Sequence, residues 1–321
     1  MIPDSDSRRY AVSAAALLLL AGGLLAAAVR PAPARPDLAT HVHLAVAPMA
    51  GQGLLPTAAA TSRPPARRAP GTALAEARAR LRRGGRGPSA EVDRWAVRLS
   101  SDKAGSHSAL ARYAVYRHLI EETLRKYRLP LDLAFVPWVE SEWRNDTASV
   151  AGADGMWQFM PATGRGYGLE ISTYVDERRD PIRATDAAAR HMADLFRETG
   201  DWHAALAAYN AGLGRARHTS DAFWNRRHSL PSETRAYVPR ILAAAQVGRD
   251  PEAWGLHPRA RPPLRFREIP VDGGTSLDVV ARRVGAEAAV VRALNPHLVR
   301  GITPPGRPWR VRIPFSTTRT P

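Results

Sequence analysis

The stretch VESEWRNDTASVAGADGMWQFMP, residues 139–161, decides how this 321-residue chain is read. It opens with Glu140 at the end of an apolar run (Phe135, Val136, Trp138, Val139). After Trp143 it passes into a loop punctuated by Gly152 and Gly155. A carboxylic acid donates a proton near neutral pH only if burial raises its pKa, and the neighbours of Glu140 are of the kind that would bury it. The loop then offers sugar-sized hydrogen-bonding groups in Ser149 and Gln158. Two later segments add Tyr209 and Asn210, then Glu233 and Tyr237. A glutamate on a helix is ordinarily solvated, so Glu140 taken alone would carry no reading. In this company it suggests cleavage of a glycosidic bond, which needs a proton on the leaving oxygen and stabilisation of an oxocarbenium-like centre.

The surrounding sequence is helical in pattern. Val92, Trp95, Ala96 and Leu99 have helical spacing, and so do Tyr113, Tyr116, Leu119, Ile120 and Leu124, closed by a basic turn at 125–128. Pro130 suits the first turn of a helix running through Leu133, Val136 and Val139 to Trp143, with a kink expected at Pro137. Residues 186–196, 203–209 and 233–247 read as three more helices. Strand-like alternation is scarce in this region, so the expected class is mainly α.

The residues 139–161, with two later blocks, resemble the lytic transglycosylases of the goose-lysozyme-like superfamily, especially the membrane-bound lytic transglycosylase D type. The resemblance covers roughly Glu91 to Gly255. The first signature is matched without a gap by Glu140-Ser141, Ser149, Gly152, Ala153, Gly155, Met156, Trp157, Gln158, Met160 and Pro161. The second is Ala208-Tyr209-Asn210-Ala211-Gly212, and the third runs from Glu233 to Val238. The resemblance implies a lysozyme-like α-helical catalytic domain acting on peptidoglycan glycan strands, with no cofactor or metal. Glu140 would be the single general acid and then base. Ser149 and Gln158 would bond the saccharide or the acid, Met160 would line the cleft, and Asn210 would contact an N-acetyl or hydroxyl group. Tyr209 would sit close to Glu140 and help orient it or stabilise developing charge, while Glu233 and Tyr237 would shape the cleft wall or touch the peptide stem. Plainer readings stand beside these: Ser149 as a loop cap, Met160 as core, and Asn210 to Gly212 as a helix end with a left-handed glycine.

A hydrolase of this chemistry uses a second carboxylate to activate water or attack carbon. Glu142 faces away from Glu140 on a helix, and neither Asp146 nor Asp154 occupies a catalytic position of the family. The family's reaction is intramolecular: the C6 hydroxyl of N-acetylmuramic acid attacks its own anomeric carbon and yields a 1,6-anhydro sugar. The rival readings are a hydrolase of the same fold and a non-catalytic wall-binding protein.

Composition sets the context. The formal net charge is +16, supplied mostly by arginine, and favours a polyanionic partner. The chain has no cysteine, which excludes disulfides, thiolate metal sites and lipid attachment through cysteine. Residues 11–29 form an uncharged run behind Arg8-Arg9, followed by small residues at 26–28 and 32–34 that suit cleavage. The run is also just long enough for a retained anchor. Either way residues 1–30 read as an export signal or N-terminal anchor, placing the chain in the periplasm or cell envelope with membrane contact if the anchor stays. Residues 31–88, rich in Pro, Ala, Gly and Arg, read as a disordered linker, with a short helix at 74–83. The arginines concentrate in this linker without interleaved aromatics, which together with the export signal argues against nucleic acid as partner.

The catalytic domain is expected over 89–258. After Arg261-Pro262-Pro263 a strand at 265–271, helices at 276–284 and 286–294 and a strand at 309–313 make a separate β-α-α-β module over 264–316. It resembles LysM, a domain that binds N-acetylglucosamine-containing chains, with loops 274–277 and 294–299 as the implied sugar sites. Thr275 stands where that family usually has aspartate.

Overall fold

The structure is a computed structural model that describes residues 69–84, 86–216 and 223–315. The expected signal or anchor at 1–30 and most of the linker lie outside the described residues. Among the described residues no helix is long and apolar enough to cross a membrane. The architecture is mainly α-helical with one two-stranded antiparallel sheet, the class the patterning predicts.

In chain order the helices are α1 (Thr72–Arg82), α2 (Gly87–Ser101), α3 (Lys103–Lys126), α4 (Val136–Glu140), α5 (Pro161–Gly166), α6 (Pro181–Thr199), α7 (Trp202–Ala211), α8 (Leu213–Ala216), α9 (Phe223–Arg226) and α10 (Ser232–Arg249). Short 3₁₀ turns lie between some of them, at Leu131–Phe135, Glu177–Arg179, Arg227–Ser229 and Glu252–Trp254. Strand β1 (Arg267–Val271), helices α11 (Leu277–Val284) and α12 (Ala288–Leu294), and strand β2 (Trp309–Ile313) follow among the described residues.

The helix ends follow from sequence. Asp180 caps α6 by accepting from the backbone N–H groups of Ile182 (2.8 Å) and Arg183 (3.2 Å), with Pro181 in the first turn; Gly200 ends the helix in the left-handed region at φ 68°. Asp201 caps α7 through Ala204 N–H at 2.8 Å. Helix α10 is the central element, burying Tyr237, Val238, Ile241, Leu242, Ala243, Ala244 and Ala245. It passes close to the Leu131–Phe135 turn at Gly248, where a Cβ would lie 2.0 Å from the Phe135 ring, so only glycine fits. Pro239 inside α10 leaves the Arg235 carbonyl without its helical donor, and Arg227 Nη1 donates to that oxygen at 3.5 Å.

Three expectations are corrected. The helix expected from Pro130 to Trp143 is a 3₁₀ turn followed by five residues of α4, and Pro137 sits in the first turn of α4 rather than kinking a longer helix. Its position there costs no intrahelical hydrogen bond. The last part of the expected linker is ordered: α1 buries Ala73 and Ala77 against the helical core, Arg80 forms a bidentate pair with buried Asp93 of α2 (2.7 and 2.9 Å), and Gly71 N–H reaches Glu252 O at 2.8 Å. Alanine needs a close neighbour rather than a large apolar stripe to dock, which is why composition alone suggested disorder here.

The third concerns the C-terminal module. Buried hydrophobic side chains fall into two clusters, a large one beneath α2, α3, α6, α7 and α10, and a small one between the sheet and α11–α12. The strands pair as expected, with Ile269 opposite Val311 and Val271 opposite Trp309. The small cluster is not self-contained, because it includes Val175 of the helical body, with Tyr174 packed against it. A module of this size buries little apolar surface by itself, and recruiting Val175 enlarges its core.

Candidate active site

Glu140 is the last residue of α4. Ser141 and Trp143 both donate N–H to Pro137 O (3.0 and 3.2 Å), and Glu142 and Trp143 then adopt left-handed φ values of 55° and 58°. That reversal sends the Trp143 ring into the core, 4.9 Å from Tyr113 and 5.5 Å from Trp138. Phe135, Trp138 and Trp143 are all buried, so the helix end that carries Glu140 rests on a fixed aromatic floor. Ser141 Oγ donates to Met156 O at 2.7 Å and ties this end to the following loop.

The loop is a tight meander with bridges Ala148–Asp154 and Asp154–Phe159. Ser149 closes its first turn: its Oγ accepts from Ala153 N–H at 2.9 Å, leaving the hydroxyl proton to donate elsewhere. Gly155 has φ 79°, and a Cβ there would stand 1.9 Å from Arg178 O. Gln158 is held in the left-handed region at φ 49°, a conformation non-glycine residues seldom adopt. Its Nε2 donates to Thr147 O (2.7 Å) and Gly155 O (2.8 Å), which fixes the amide and leaves Oε1 as the acceptor for a ligand.

Helices α7 and α10 supply the opposite wall. Asn210 Oδ1 accepts from Thr234 Oγ at 2.8 Å, which aims its other capacity, the Nδ2 donors, away from α10. Tyr209 OH donates to Trp157 O at 2.7 Å, and its ring is backed by His191, centroids 5.1 Å apart. Burial keeps His191 neutral, with its pKa lowered to about 4. Tyr237 OH donates directly to Glu140 Oε1.

These elements enclose a cavity of about 140 Å³ lined by Val139, Glu140, Ser149, Ala151, Ala153, Gln158, Met160, Tyr209, Asn210, Glu233, Tyr237 and Arg240. All eight residues singled out in the sequence face this one space. Met160 is 40% exposed, so it belongs to the cleft mouth and not to the core. Two assignments change. The phenol that holds Glu140 is that of Tyr237, whereas Tyr209 spends its hydroxyl on the loop. Arg240 was not anticipated. It lies three residues after Tyr237 and seven after Glu233, which is one helical face, and that spacing is the signal that could have found it.

Burial raises the Glu140 carboxyl to about 7, with the Tyr237 hydrogen bond and the Arg240 charge pulling it down and Glu233 pushing it up. Glu233 is itself raised by burial, against the lowering influence of Arg240. Two of the other carboxylates near it in sequence are committed elsewhere: Asp154 pairs with Arg179 at 2.8 Å, and Glu142 pairs with Arg112 at 2.7 Å. None of Trp138, Trp143, Trp157, Trp202 and Trp224 lines the cavity. Among the described residues no group of three or more His, Cys, Asp or Glu side chains is placed to hold a metal ion.

Residues 118–228, which contain the acid, the loop and the Tyr209 segment, match the family described as Transglycosylase SLT domain. The chain is similar to membrane-bound lytic murein transglycosylase D of Escherichia coli (strain K12), at 30% identity over 224 residues, 66% of this chain and 49% of that protein. The peptidoglycan transglycosylase gp16 of Escherichia phage T7 is 33% identical over 115 residues, 35% of this chain and 9% of the phage protein. The chain thus spans about half the length of the first relative. Among solved structures, the 70 kDa soluble lytic transglycosylase of Escherichia coli aligns at 22% identity and TM-score 0.38, covering 57% of this chain and 36% of that one. The SLT match stops before α10, so Glu233, Tyr237 and Arg240 complete the cavity from outside the matched residues.

Proposed function

We propose that the protein is a peptidoglycan lytic transglycosylase that cleaves the N-acetylmuramic acid to N-acetylglucosamine β-1,4 bond without water and leaves 1,6-anhydro ends. The observation that carries this reading is Glu140, a carboxyl with a pKa of about 7, fixed by Tyr237 on the floor of a cavity lined with amide and hydroxyl groups. Half-protonated at neutrality, such a group gives a proton to the leaving oxygen and then accepts one from the C6 hydroxyl that closes the anhydro ring. Arg240 moderates its acidity and offers positive charge to an anionic strand. Gln158 Oε1, the Ser149 hydroxyl and the Asn210 amide bind the sugars, Met160 and Tyr209 line their path, and Glu233 shapes the wall beside the peptide stem.

A second reading, hydrolysis, draws on one observation: Glu233 also lines the cavity. Glu140, and not Glu233, is the carboxyl that the Tyr237 hydroxyl fixes, which favours the intramolecular route with a single acid. Mass spectrometry of sacculi digested with wild type and Glu140→Gln separates the readings. The proposal expects muropeptides lighter by one water than reducing-end products from wild type, and none from the variant. Reducing-end products would mean a hydrolase, and undiminished release by Glu140→Gln would remove Glu140 from the mechanism.

The wider organisation belongs to the same proposal: export through residues 1–30 to the periplasm or envelope, a linker that ends before α1, a catalytic unit over 89–258, and a LysM-like unit over 264–316. The antiparallel pairing of β1 with β2 around two helices supports a LysM-like glycan-binding role. At the altered turn position, Thr275 N–H donates to Thr303 Oγ1 and Thr275 O accepts from Thr303 N–H (2.9 Å each), so the turn is held without the usual aspartate. Sedimentation of Glu140→Gln with insoluble sacculi, with and without substitutions in loops 274–277 and 294–299, tests that role.

A further inference from the structure

Besides a bond from Leu264 N–H to Val115 O at 2.8 Å, the C-terminal unit is tied to the helical body through residues 170–180. Val175 forms an antiparallel bridge with Leu298, Asp176 N–H donates to His297 O at 2.8 Å, and Val299 N–H donates to Tyr174 O at 3.1 Å. Arg300 Nε donates to Thr173 O at 3.2 Å, and Arg307 reaches both oxygens of Glu170 at 2.8 Å. Asp180 is shared: Oδ1 caps α6, while Oδ2 takes Arg312 Nη2 at 2.7 Å and lies 3.3 Å from His297 Nδ1. All three side chains are buried.

The other side of the same segment holds the catalytic loop. Arg178 sets Nε and Nη2 on Asp176 (2.9 and 2.7 Å), which leaves Nη1 to donate to Gly152 O (2.7 Å) and Phe159 O (3.0 Å). Arg179 forks onto Asp154 through Nε (3.1 Å) and Nη2 (2.8 Å). The Arg178 carbonyl fills the space that a Cβ on Gly155 would need. Beside its ties to Ser141, Tyr209 and Thr185 at residues 156–157, the loop carrying Gln158 leans at Gly152, Asp154, Gly155 and Phe159 on a strip whose opposite edge is paired with the C-terminal unit.

We infer that the C-terminal unit is a buttress of the active site, with Arg178 as a positioning residue that conveys its docking to the loop bearing Gln158. A glycan-adhesion module on a tether would raise local substrate concentration and leave turnover of a small soluble substrate unchanged. A buttress sets turnover itself, because misplacing a binding group by about 1 Å can cost as much as about 10²-fold. The inference rests on reading the cavity as the active site, but one arm of its test does not.

In the full chain, Arg312→Gln removes the cation from Asp180 Oδ2 while Oδ1 goes on capping α6, and Arg307→Gln cuts the more exposed tie to Glu170. Amide hydrogen exchange across residues 149–159, turnover of soluble uncross-linked glycan strands, and sedimentation with insoluble sacculi are measured for each. The expected result is exchange in the 152–159 loop faster by about tenfold or more. The expected fall in kcat on soluble strands is roughly ten- to hundredfold, with KM little changed. Arg178→Gln should reproduce both effects, and Arg178→Lys should rescue little, since an ammonium cannot span Asp176 and two carbonyls. Unchanged loop exchange in Arg312→Gln and Arg307→Gln, with only sedimentation weakened, would overturn the inference in favour of a tethered module. Should Arg312→Gln fail to fold, Arg307→Gln and the Arg178 pair decide on the same readouts. Faster loop exchange in a protein that cleaves no strand would uphold the buttress and refute the proposed function instead.

Discussion

Replacing Glu140 by glutamine should stabilise the protein in alkaline solution, by an amount the site itself sets. The folded state holds the Glu140 carboxyl at about 7, against an ordinary value of 4.5, chiefly because burial penalises the charged form. A raised carboxyl pKa means that the folded state binds more protons than the unfolded chain between these limits, so this group's contribution to stability falls as pH rises through the window. At about 1.4 kcal/mol per pKa unit, the full cost of ionising Glu140 is about 3 kcal/mol above the upper limit and close to nothing below the lower one. Glutamine never ionises and still accepts the Tyr237 hydrogen bond. Urea denaturation of wild type and Glu140→Gln at a series of pH values from about 4 to 8.5 reads the difference, because the titration of every distant group cancels between the two proteins. The stability difference should be flat below pH 4.5, open steadily from there to about 7 and level off above it at about 3 kcal/mol in favour of the variant. Parallel stability curves would show that Glu140 titrates as an ordinary solvated carboxylate, and the case for a proton donor at this position would go with them.

Other predictions follow from the same geometry. Tyr237→Phe removes a hydrogen bond that lowers the Glu140 pKa, so the alkaline limb of kcat/KM should move to higher pH while kcat falls for want of a fixed carboxyl. Arg240→Gln removes a charge acting in the same direction and should shift that limb the same way, as a pH–rate profile would show; a shift to lower pH in either variant contradicts the electrostatic account. Gly155→Ala combines a left-handed backbone with a collision against Arg178 O, and should cost about 2–3 kcal/mol in chemical denaturation. Thr234→Val leaves the Asn210 amide free to rotate, so KM for glycan strands should rise with the melting temperature nearly unchanged; an unaltered KM would mean that Asn210 does not bind sugar.

Much of the helical body was legible in sequence because its signals are local. The apolar spacing of residues 113–124 names the buried face of α3, and the helices expected at 203–209 and 233–247 fall within α7 and α10. The eight candidate residues converge on one cavity because their motifs fix backbone as well as side chains, glycine at 155 and serine at 141 holding the loop to the helix end. What sequence did not show depended on partners far along the chain. Nothing in the linker-like composition before residue 86 revealed that Ala73, Ala77 and Arg80 meet α2. The exchange of roles between Tyr209 and Tyr237 is a matter of where two phenols on different helices point, and neither motif encodes it. The docking of the C-terminal unit rests on residues 170–180, a stretch of bends and bridges with no periodicity to read.

Cleavage of purified sacculi in heavy-oxygen water tests the central claim most directly. If Glu140 drives attack by the sugar's own C6 hydroxyl, the new chain ends are anhydro-muramoyl and carry no solvent oxygen. New ends that are reducing and labelled by the solvent would mean that water is the nucleophile, and would contradict the account.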